Sequence, residues 1–257
     1  MALTLAEIAE LKRLRDQARR KQSSSPEPVA AAPIPEPTEP SGQPVETVAQ
    51  PQARKGLPEG YVPSEEELKK FLALWDTLED YVANENALNL IFRHDSAFAA
   101  NTDIRHVIIK CSALNDFYST NIFKVYPVAA NIISIKDFDA RLVTGDDALV
   151  HEIALVDGRR NYSFASKYCS HHQPSLYPIF DSYVKDVLVE LRKRNPEHFH
   201  FRKATDLENY SVFRSAIDDV RNAFNLKKYS YKDIDRYLWQ LGKMYYNKYS
   251  KQKSLSV

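Results

Sequence analysis

The chain contains little cysteine and little glycine. Its 257 residues include two cysteines, Cys111 and Cys169, and six glycines. Two cysteines so far apart cannot build a disulfide framework or a four-cysteine iron–sulfur cluster, so we expect a reducing, cytoplasmic environment and no cofactor of that kind. Gly145 and Gly242 stand alone, so no glycine-rich loop is present to hold the phosphates of a nucleotide cofactor.

Long apolar runs are absent as well. No segment approaches the roughly twenty consecutive apolar residues of a membrane-spanning helix. The first residues, MALTLA, have no basic region followed by an apolar stretch, which a secretory signal requires. We therefore predict neither export nor a membrane span.

Three regions of the chain differ in composition. Residues 1–22 carry leucine and isoleucine at three- and four-residue steps, which predicts an amphipathic helix that docks on a protein partner or on the folded domain, or else frays in water. Residues 23–63 contain ten of the fourteen prolines and nothing large to bury, which predicts a disordered tether. Residues 64–257 contain nearly all the large apolar side chains and are predicted to form one globular domain.

The hydrophobic spacing after residue 63 predicts an all-α domain. Ser64 and Glu67 have the spacing of a capping box, which predicts the start of the first helix. No later stretch shows the alternation of apolar and polar residues that is typical of strands joined by hairpin turns. A short β pair near residues 107–109 is the main alternative to helix. Further predicted helices cover residues 84–93, 102–117, 126–134, 137–143, 146–156, 163–172, 182–194, 208–224 and 230–249.

One segment carries most of the functional information, residues 162–188, which read YSFASKYCSHHQPSLYPIFDSYVKDVL. A predicted helix ends at Pro174, and a loop through Pro178 leads to Asp181 at the start of the next helix. Because a proline restricts the residue before it to extended backbone, this approach to Asp181 is stiff. The sequence therefore holds the carboxylate of Asp181 in a defined position.

The order around this segment is helix (146–156), tight turn (157–161), helix (163–172), proline loop, aspartate and helix. This order resembles the helix-hairpin-helix DNA glycosylase superfamily, and the proline loop is most similar to that of its adenine-glycosylase-like branch. The resemblance implies DNA as partner and Asp181 as the catalytic residue of N-glycosidic hydrolysis. It also implies a monofunctional hydrolase, because Ser163 falls where bifunctional members carry a lysine nucleophile.

The turn departs from the pattern of that superfamily. Family hairpins usually contain two glycines whose amides approach a DNA phosphate, whereas this turn has Gly158 alone. Arg159 and Arg160 follow it and are predicted to contact phosphate through their side chains instead. Ser163 and Lys167, on the next helix, are predicted to extend this nucleic-acid-binding surface.

Excision of a base explains why an aspartate is needed at this position. Hydrolysis of an N-glycosidic bond builds positive charge on the sugar, which a carboxylate can stabilise while it activates water. The base must first leave the duplex and enter a pocket with flat side chains. We predict that this pocket is lined by Asn115, Tyr118, Tyr162 and Tyr177.

Other readings of the same residues stay open. Asp181 is also a good helix N-cap, which explains its identity without catalysis. The domain is then a non-catalytic relative kept for binding, or a defence-type accessory protein that recruits a partner through residues 1–22.

Two further features could bind a ligand. Cys169, His171 and His172 are close in sequence, but adjacent histidines point to different faces of a helix and no second cluster completes a zinc site, so we predict no metal. Residues 227–253 carry eight lysines and arginines against two aspartates, and form either a polyanion-binding surface or a solvated helix face.

Overall fold

The computed structural model describes residues 56–246. In this part the chain forms ten α-helices, one two-stranded hairpin and two short 3-10 turns, so the all-α prediction is confirmed. The predicted helix in residues 1–22, the tether before residue 56 and the end of the basic run lie outside the described residues. The helices are α1 Glu65–Trp75, α2 Glu79–Phe92, α3 Ile104–Tyr118, α4 Val125–Ser134, α5 Phe138–Thr144, α6 Ala148–Ala154, α7 Tyr162–His172, α8 Ser182–Arg194, α9 Tyr210–Ala223 and α10 Tyr231–Tyr245.

The first helix begins as predicted, with one difference. The hydroxyl of Ser64 accepts a hydrogen bond from the amide of Glu67 at 3.2 Å, as an N-cap does. The carboxylate of Glu67 does not fold back to complete a capping box. It accepts hydrogen bonds from the hydroxyls of Tyr61 and Tyr237 instead, the latter at 2.6 Å. This bond joins α1 to α10.

Residues 56–63, which were predicted to belong to the tether, pack against the helical domain. The side chain of Leu57 is buried, and its carbonyl accepts a hydrogen bond from Arg194 at 2.8 Å. The amide of Gly56 donates to the carbonyl of Tyr245 at 3.1 Å. The packed part of the chain therefore extends past the predicted boundary at Ser64.

The core is centred on α7. Every residue of this helix from Phe164 to His171 is buried, and α7 packs against α2, α3 and α6. Its N-terminal end follows the hairpin, and its C-terminal end leads into the proline loop. Residues 107–109, where a β pair was the alternative, lie within α3.

A β-hairpin replaces the end of one predicted helix. The helix expected over residues 146–156 ends at Ala154, and the next residues form β1 (Leu155–Val156), which pairs antiparallel with β2 (Arg159–Arg160). Asp157 and Gly158 connect the strands with φ of +50° and +71°. Two positive φ values are the geometry of a type I′ turn, for which Asp-Gly is a favoured sequence. None of the helices within residues 56–246 is both long and apolar enough to cross a membrane.

Candidate active-site cleft

Asp181 lies at the start of α8, at the end of the proline loop. Its backbone is extended, and its Oδ1 accepts a hydrogen bond from the amide of Tyr183 at 2.8 Å, so it caps the helix. Its Oδ2 is 3.9 Å from the Nζ of Lys167, and its side chain is 21% exposed. The carboxylate therefore caps the helix with one oxygen and faces a cation and solvent with the other.

Lys167 lies on α7 and points into the same cleft. Its amine donates to the hydroxyl of Ser163 at 2.6 Å and to the carbonyl of Phe180 at 3.4 Å, and it lies 5.3 Å from the ring centre of Tyr118. Burial lowers the pKa of this amine, although the nearby carboxylate of Asp181 opposes the shift. The side chain is only 5% exposed. Lys167, predicted on the DNA-binding surface, is therefore a buried partner of Asp181.

Asp235, on α10, is a second carboxylate in the cleft. Burial raises the pKa of its carboxyl to about 7, the cations Lys232 and Lys167 lower it, and the carboxylates of Asp181 and Glu85 raise it further. A carboxyl with this pKa retains its proton for part of the time at neutral pH. Two carboxyl groups in one cleft with different environments are a common arrangement for acid–base chemistry.

Glu85, on α2, is the third carboxylate that lines the cleft. Its Oε1 is 2.9 Å from Arg236 and 3.6 Å from Lys232. Its Oε2 is buried and has no hydrogen-bond partner among the described residues. A buried acceptor without a partner is rare in proteins, and a ligand or a water molecule usually explains it.

Aromatic side chains form one wall of the cleft. The ring centres of Trp75, Tyr81 and Trp239 lie 5.1–5.9 Å apart. Phe117 and Tyr118, at the end of α3, line it as well. The enclosed space is about 70 Å³, which is room for a few water molecules. A flat ligand would have to displace part of this aromatic wall to enter.

The structure brings together some of the predicted site residues and separates others. Tyr118 lines the cleft with Asp181. Tyr162 and Tyr177 do not line it, because both are buried in the core. The hydroxyl of Tyr162 donates to the carbonyl of Leu207 at 3.3 Å, and that of Tyr177 donates to the carbonyl of Asp146 at 3.2 Å.

Asn115 also lies outside the cleft, where it supports the loop after α3. Its side-chain oxygen accepts hydrogen bonds from the amide of Ile122 at 2.9 Å and from the hydroxyl of Thr120 at 2.8 Å. Its amide nitrogen donates to the carbonyl of Ile122 at 3.2 Å. Asn115 therefore fixes a loop and does not contact a ligand in the cleft.

Arg159 and Arg160 lie on the second hairpin strand and are both exposed. Arg160 contacts Glu208, 3.5 Å away, whereas Arg159 lies over the ring of Phe123 at 5.1 Å. Ser163, in the first turn of α7, links this hairpin to the cleft through its bond with Lys167. The hairpin and the cleft therefore meet at one end of α7.

The side chains of Cys169, His171 and His172 pack in the core and do not form a metal site. Cys169 is fully buried. His171 lies 3.0 Å from the hydroxyl of Tyr118, and His172 lies 3.3 Å from the amine of Lys110. Burial lowers the pKa of both imidazoles well below their ordinary value. Across residues 56–246, no three His, Cys, Asp or Glu side chains are arranged to hold a metal ion.

Most residues of the cleft were not predicted as site residues. Glu85 comes from a helix for which no site was predicted, and Lys232 and Asp235 were counted only among the charges of residues 227–253. The sequence offers one weak indication that Asp235 is buried, because it stands next to the apolar stripe of Ile234 and Leu238. The cleft residues that were not predicted to line it are Trp75, Tyr81, Asn84, Glu85, Phe117, Ile179, Lys232, Asp235 and Trp239.

Comparison with known proteins gives a family but no activity. The family HI_0787_N, described as an N-terminal domain, matches residues 67–176, which include Glu85 and Lys167 but not Asp181 or Asp235. An uncharacterized protein of Haemophilus influenzae is 44% identical over 147 residues, which are 56% of this chain and 69% of the relative. No solved structure has significant similarity to the chain. At this identity and coverage, the chain belongs to the family of that uncharacterized H. influenzae protein.

Proposed function

We propose that this protein binds DNA in the cytoplasm and hydrolyses the N-glycosidic bond of a base that has left the stack. The observation that carries the proposal is that Asp181 shares one aromatic cleft with Lys167, Asp235 and Glu85. The resemblance of residues 146–190 to helix-hairpin-helix DNA glycosylases supports the same reaction.

In this reaction Asp181 is the charge-stabilising residue. As the bond to the base breaks, positive charge develops on the sugar, and the carboxylate stabilises it through space. Water then adds to the sugar carbon and gives its proton to the carboxylate. Lys167 positions Asp181, because its amine lies 3.9 Å from the carboxylate and is itself held by Ser163.

Asp235 supplies the proton for the leaving base. The bond electrons leave with the base, so protonation of a ring nitrogen makes it a better leaving group. Burial raises the pKa of Asp235 to about 7, which provides a proton near neutral pH. The Oε2 of Glu85, which has no partner among the described residues, accepts a hydrogen bond from an N–H group of the base. This bond supplies the partner that the buried oxygen lacks.

Entry of a base requires the aromatic wall to move. The space of about 70 Å³ is far below the roughly 300–1,000 Å³ of typical ligand pockets. Tyr81 is 38% exposed, so it lies at the rim and can turn outward. Trp75 and Trp239 are the only tryptophans in the chain, so tryptophan fluorescence reports on this cleft alone.

The test is a base-release assay on the full chain. Duplex and single-stranded DNA with damaged, mismatched and unmodified bases are incubated with the protein, and released base and new abasic sites are measured. We expect release from at least one substrate, and a change in tryptophan fluorescence when DNA with an abasic site binds. Binding without release from any substrate would contradict the hydrolase. The absence of binding at low salt would contradict the DNA-binding role.

Borohydride trapping identifies the nucleophile. Because Ser163 occupies the position of the family's lysine nucleophile, we expect water to attack and no covalent DNA adduct to form. An adduct that disappears in Lys167→Met would assign the attack to the amine of Lys167 instead.

The small volume of the cleft favours one alternative. A relative that has kept the scaffold but not the reaction would need no room for a base, and Asp181 would then serve as a cap. Such a protein would act by binding, as a DNA-binding or defence-type accessory module, with residues 1–22 recruiting a protein partner. Deletion of residues 1–22 distinguishes the hydrolase from the binding module. The deletion should leave base release unchanged and abolish recruitment of the partner.

A further inference from the structure

The loop between α3 and α4 has an unusual backbone. Ser119 and Asn121 have φ of +49° and +61°, although neither is glycine. Such conformations are strained in residues other than glycine and persist where the surroundings hold them. Here Asn115 holds the loop with three hydrogen bonds to Thr120 and Ile122.

This rigid loop presents an aromatic side chain to solvent. Phe123 is 81% exposed, which is rare for so large an apolar group, and its neighbour Ile122 is buried and anchors the loop. The guanidinium of Arg159 lies 5.1 Å from the ring centre of Phe123. The loop is thus fixed in position by Asn115 while Phe123 itself gains almost nothing from burial.

A groove of about 250 Å³ lies beside Phe123. Lys124 and Arg159 border it, and within residues 56–246 neither has a carboxylate at ion-pair distance. Asp157 is the one acidic side chain in its lining. The floor is apolar, with Val128 and Val156. We call the side chains of Phe123, Lys124 and Arg159, with this groove, the Phe123 surface.

We propose that the Phe123 surface is a second nucleic-acid site, on which Phe123 stacks against an unpaired base while Arg159 and Lys124 contact the adjacent phosphates. Exposed aromatic side chains interleaved with cations are the arrangement by which proteins bind single-stranded or unstacked nucleic acid. The inference rests on the DNA-binding part of the proposed function, and it extends the interface beyond the cleft. It is independent of base excision.

The position of the surface fits this role. Arg159 belongs to the hairpin that leads into α7, and the loop that carries Phe123 follows directly from Phe117 and Tyr118, which line the cleft. The two sites are therefore close to one another along the chain.

The experiment measures the affinity of the full chain for a fluorescein-labelled single-stranded DNA across a salt series. We expect Phe123→Ala to weaken binding roughly 5- to 100-fold at every salt concentration, because stacking is not screened by ions. Arg159→Ala should lower the slope of log affinity against log salt by about one. Phe123→Trp should restore the affinity, and Leu90→Ala, which removes another exposed apolar side chain, should not change it.

The outcomes separate this inference from the excision proposal. Weaker binding by Phe123→Ala, with no base release by the wild type, supports the Phe123 surface and contradicts only the hydrolase. Unchanged affinity in Phe123→Ala, with melting temperature also unchanged, overturns the inference and assigns the exposed ring to another class of partner. A wild-type chain that does not bind DNA at low salt overturns both.

Discussion

At the scale of single residues, the cleft gives two aspartates different surroundings. Asp181 caps α8 and faces Lys167, so its carboxylate has both a hydrogen bond and a cation nearby. Asp235 accepts no hydrogen bond from the residues in 56–246, and burial is the main reason why its pKa rises. In the proposed reaction, this difference in environment is the reason why Asp181 stabilises charge and Asp235 donates the proton.

The titration of Asp235 predicts a dependence of stability on pH. A carboxyl whose pKa is raised in the folded state stabilises the fold below its unfolded pKa, and this stabilisation is lost as the pH rises through the folded pKa of about 7. Asp235→Asn is neutral at every pH. We therefore expect the variant to gain stability relative to the wild type as the pH rises from about 5 to 8.

Urea unfolding at four pH values measures this difference. Asp80→Asn, which changes a carboxylate on the exposed surface of α2, is the control and should differ from the wild type by a constant amount. A constant difference for Asp235→Asn as well would show that Asp235 titrates outside this range. The proton-donor role would then lose its physical basis.

At the scale of elements, the cleft depends on the contact between α8 and α10. A Cβ atom on Gly242 would lie 2.6 Å from the Cβ of Tyr183 and 2.8 Å from its backbone carbonyl oxygen. Glycine is therefore required for the two helices to approach. Since α8 carries Asp181 and α10 carries Asp235, this approach sets the distance between the two carboxyl groups.

Gly242→Ala should consequently destabilise the protein. Alanine favours a helix over glycine by about 1 kcal/mol, but overpacking against a backbone atom costs about 1–3 kcal/mol. We expect a lower free energy of unfolding and slower base release, measured by urea unfolding and by the excision assay. Ser112→Ala, on an exposed position of α3, controls for helix propensity. A more stable Gly242→Ala variant would mean that α8 and α10 are not in close contact.

The local elements could be predicted from sequence, and the cleft could not. Ser64 and Asp181 were identified as N-caps because a cap is decided by neighbours within three residues. The hairpin was missed although Asp157-Gly158 is its signal, because strands of two residues leave no alternating pattern. Asp235 and Glu85 were missed for a different reason. They meet Asp181 only through tertiary packing, and no local spacing records that contact.

Local spacing also does not show which way a side chain points, and for this reason some residues predicted in the pocket lie elsewhere. Tyr162 and Tyr177 precede Asp181 in the same segment, yet both point into the core, where their hydroxyls donate to backbone carbonyls. Lys167 was predicted on the nucleic-acid-binding surface, but it is buried, although lysine rarely is. Its partners, Ser163 and Asp181, make burial possible.

At the scale of the whole molecule, residues 56–63 tie the two ends of the domain together. Gly56 bonds to Tyr245 and Leu57 to Arg194, while Leu57 is buried. A fragment that starts at Gly56 should therefore melt like the full chain. A fragment that starts at Ser64 loses the burial of Leu57, worth about 1.5–3 kcal/mol, and should melt roughly 3–12 °C lower.

Differential scanning calorimetry of the two fragments checks this expectation, and limited proteolysis of the full chain should cut before Gly56. Equal melting temperatures for both fragments would show that residues 56–63 contribute nothing to the fold.

We propose that the carboxylate of Asp181 performs chemistry in addition to capping α8. Asparagine caps a helix about as well as aspartate, so Asp181→Asn keeps the hydrogen bond to Tyr183 and loses only the charge. Asp103→Asn is a matched control, because Asp103 caps α3 in the same way, through the amide of Arg105 at 2.8 Å.

The decisive measurement is the single-turnover rate of base release by these two variants, below the melting temperature of each. Loss of a charge that stabilises a transition state costs about a hundredfold or more in rate, so we expect Asp181→Asn to fall by at least that factor while it still binds DNA. Asp103→Asn should release base at the wild-type rate. A folded Asp181→Asn variant that releases base within about twofold of the wild-type rate, a change of less than 0.5 kcal/mol, would contradict the account.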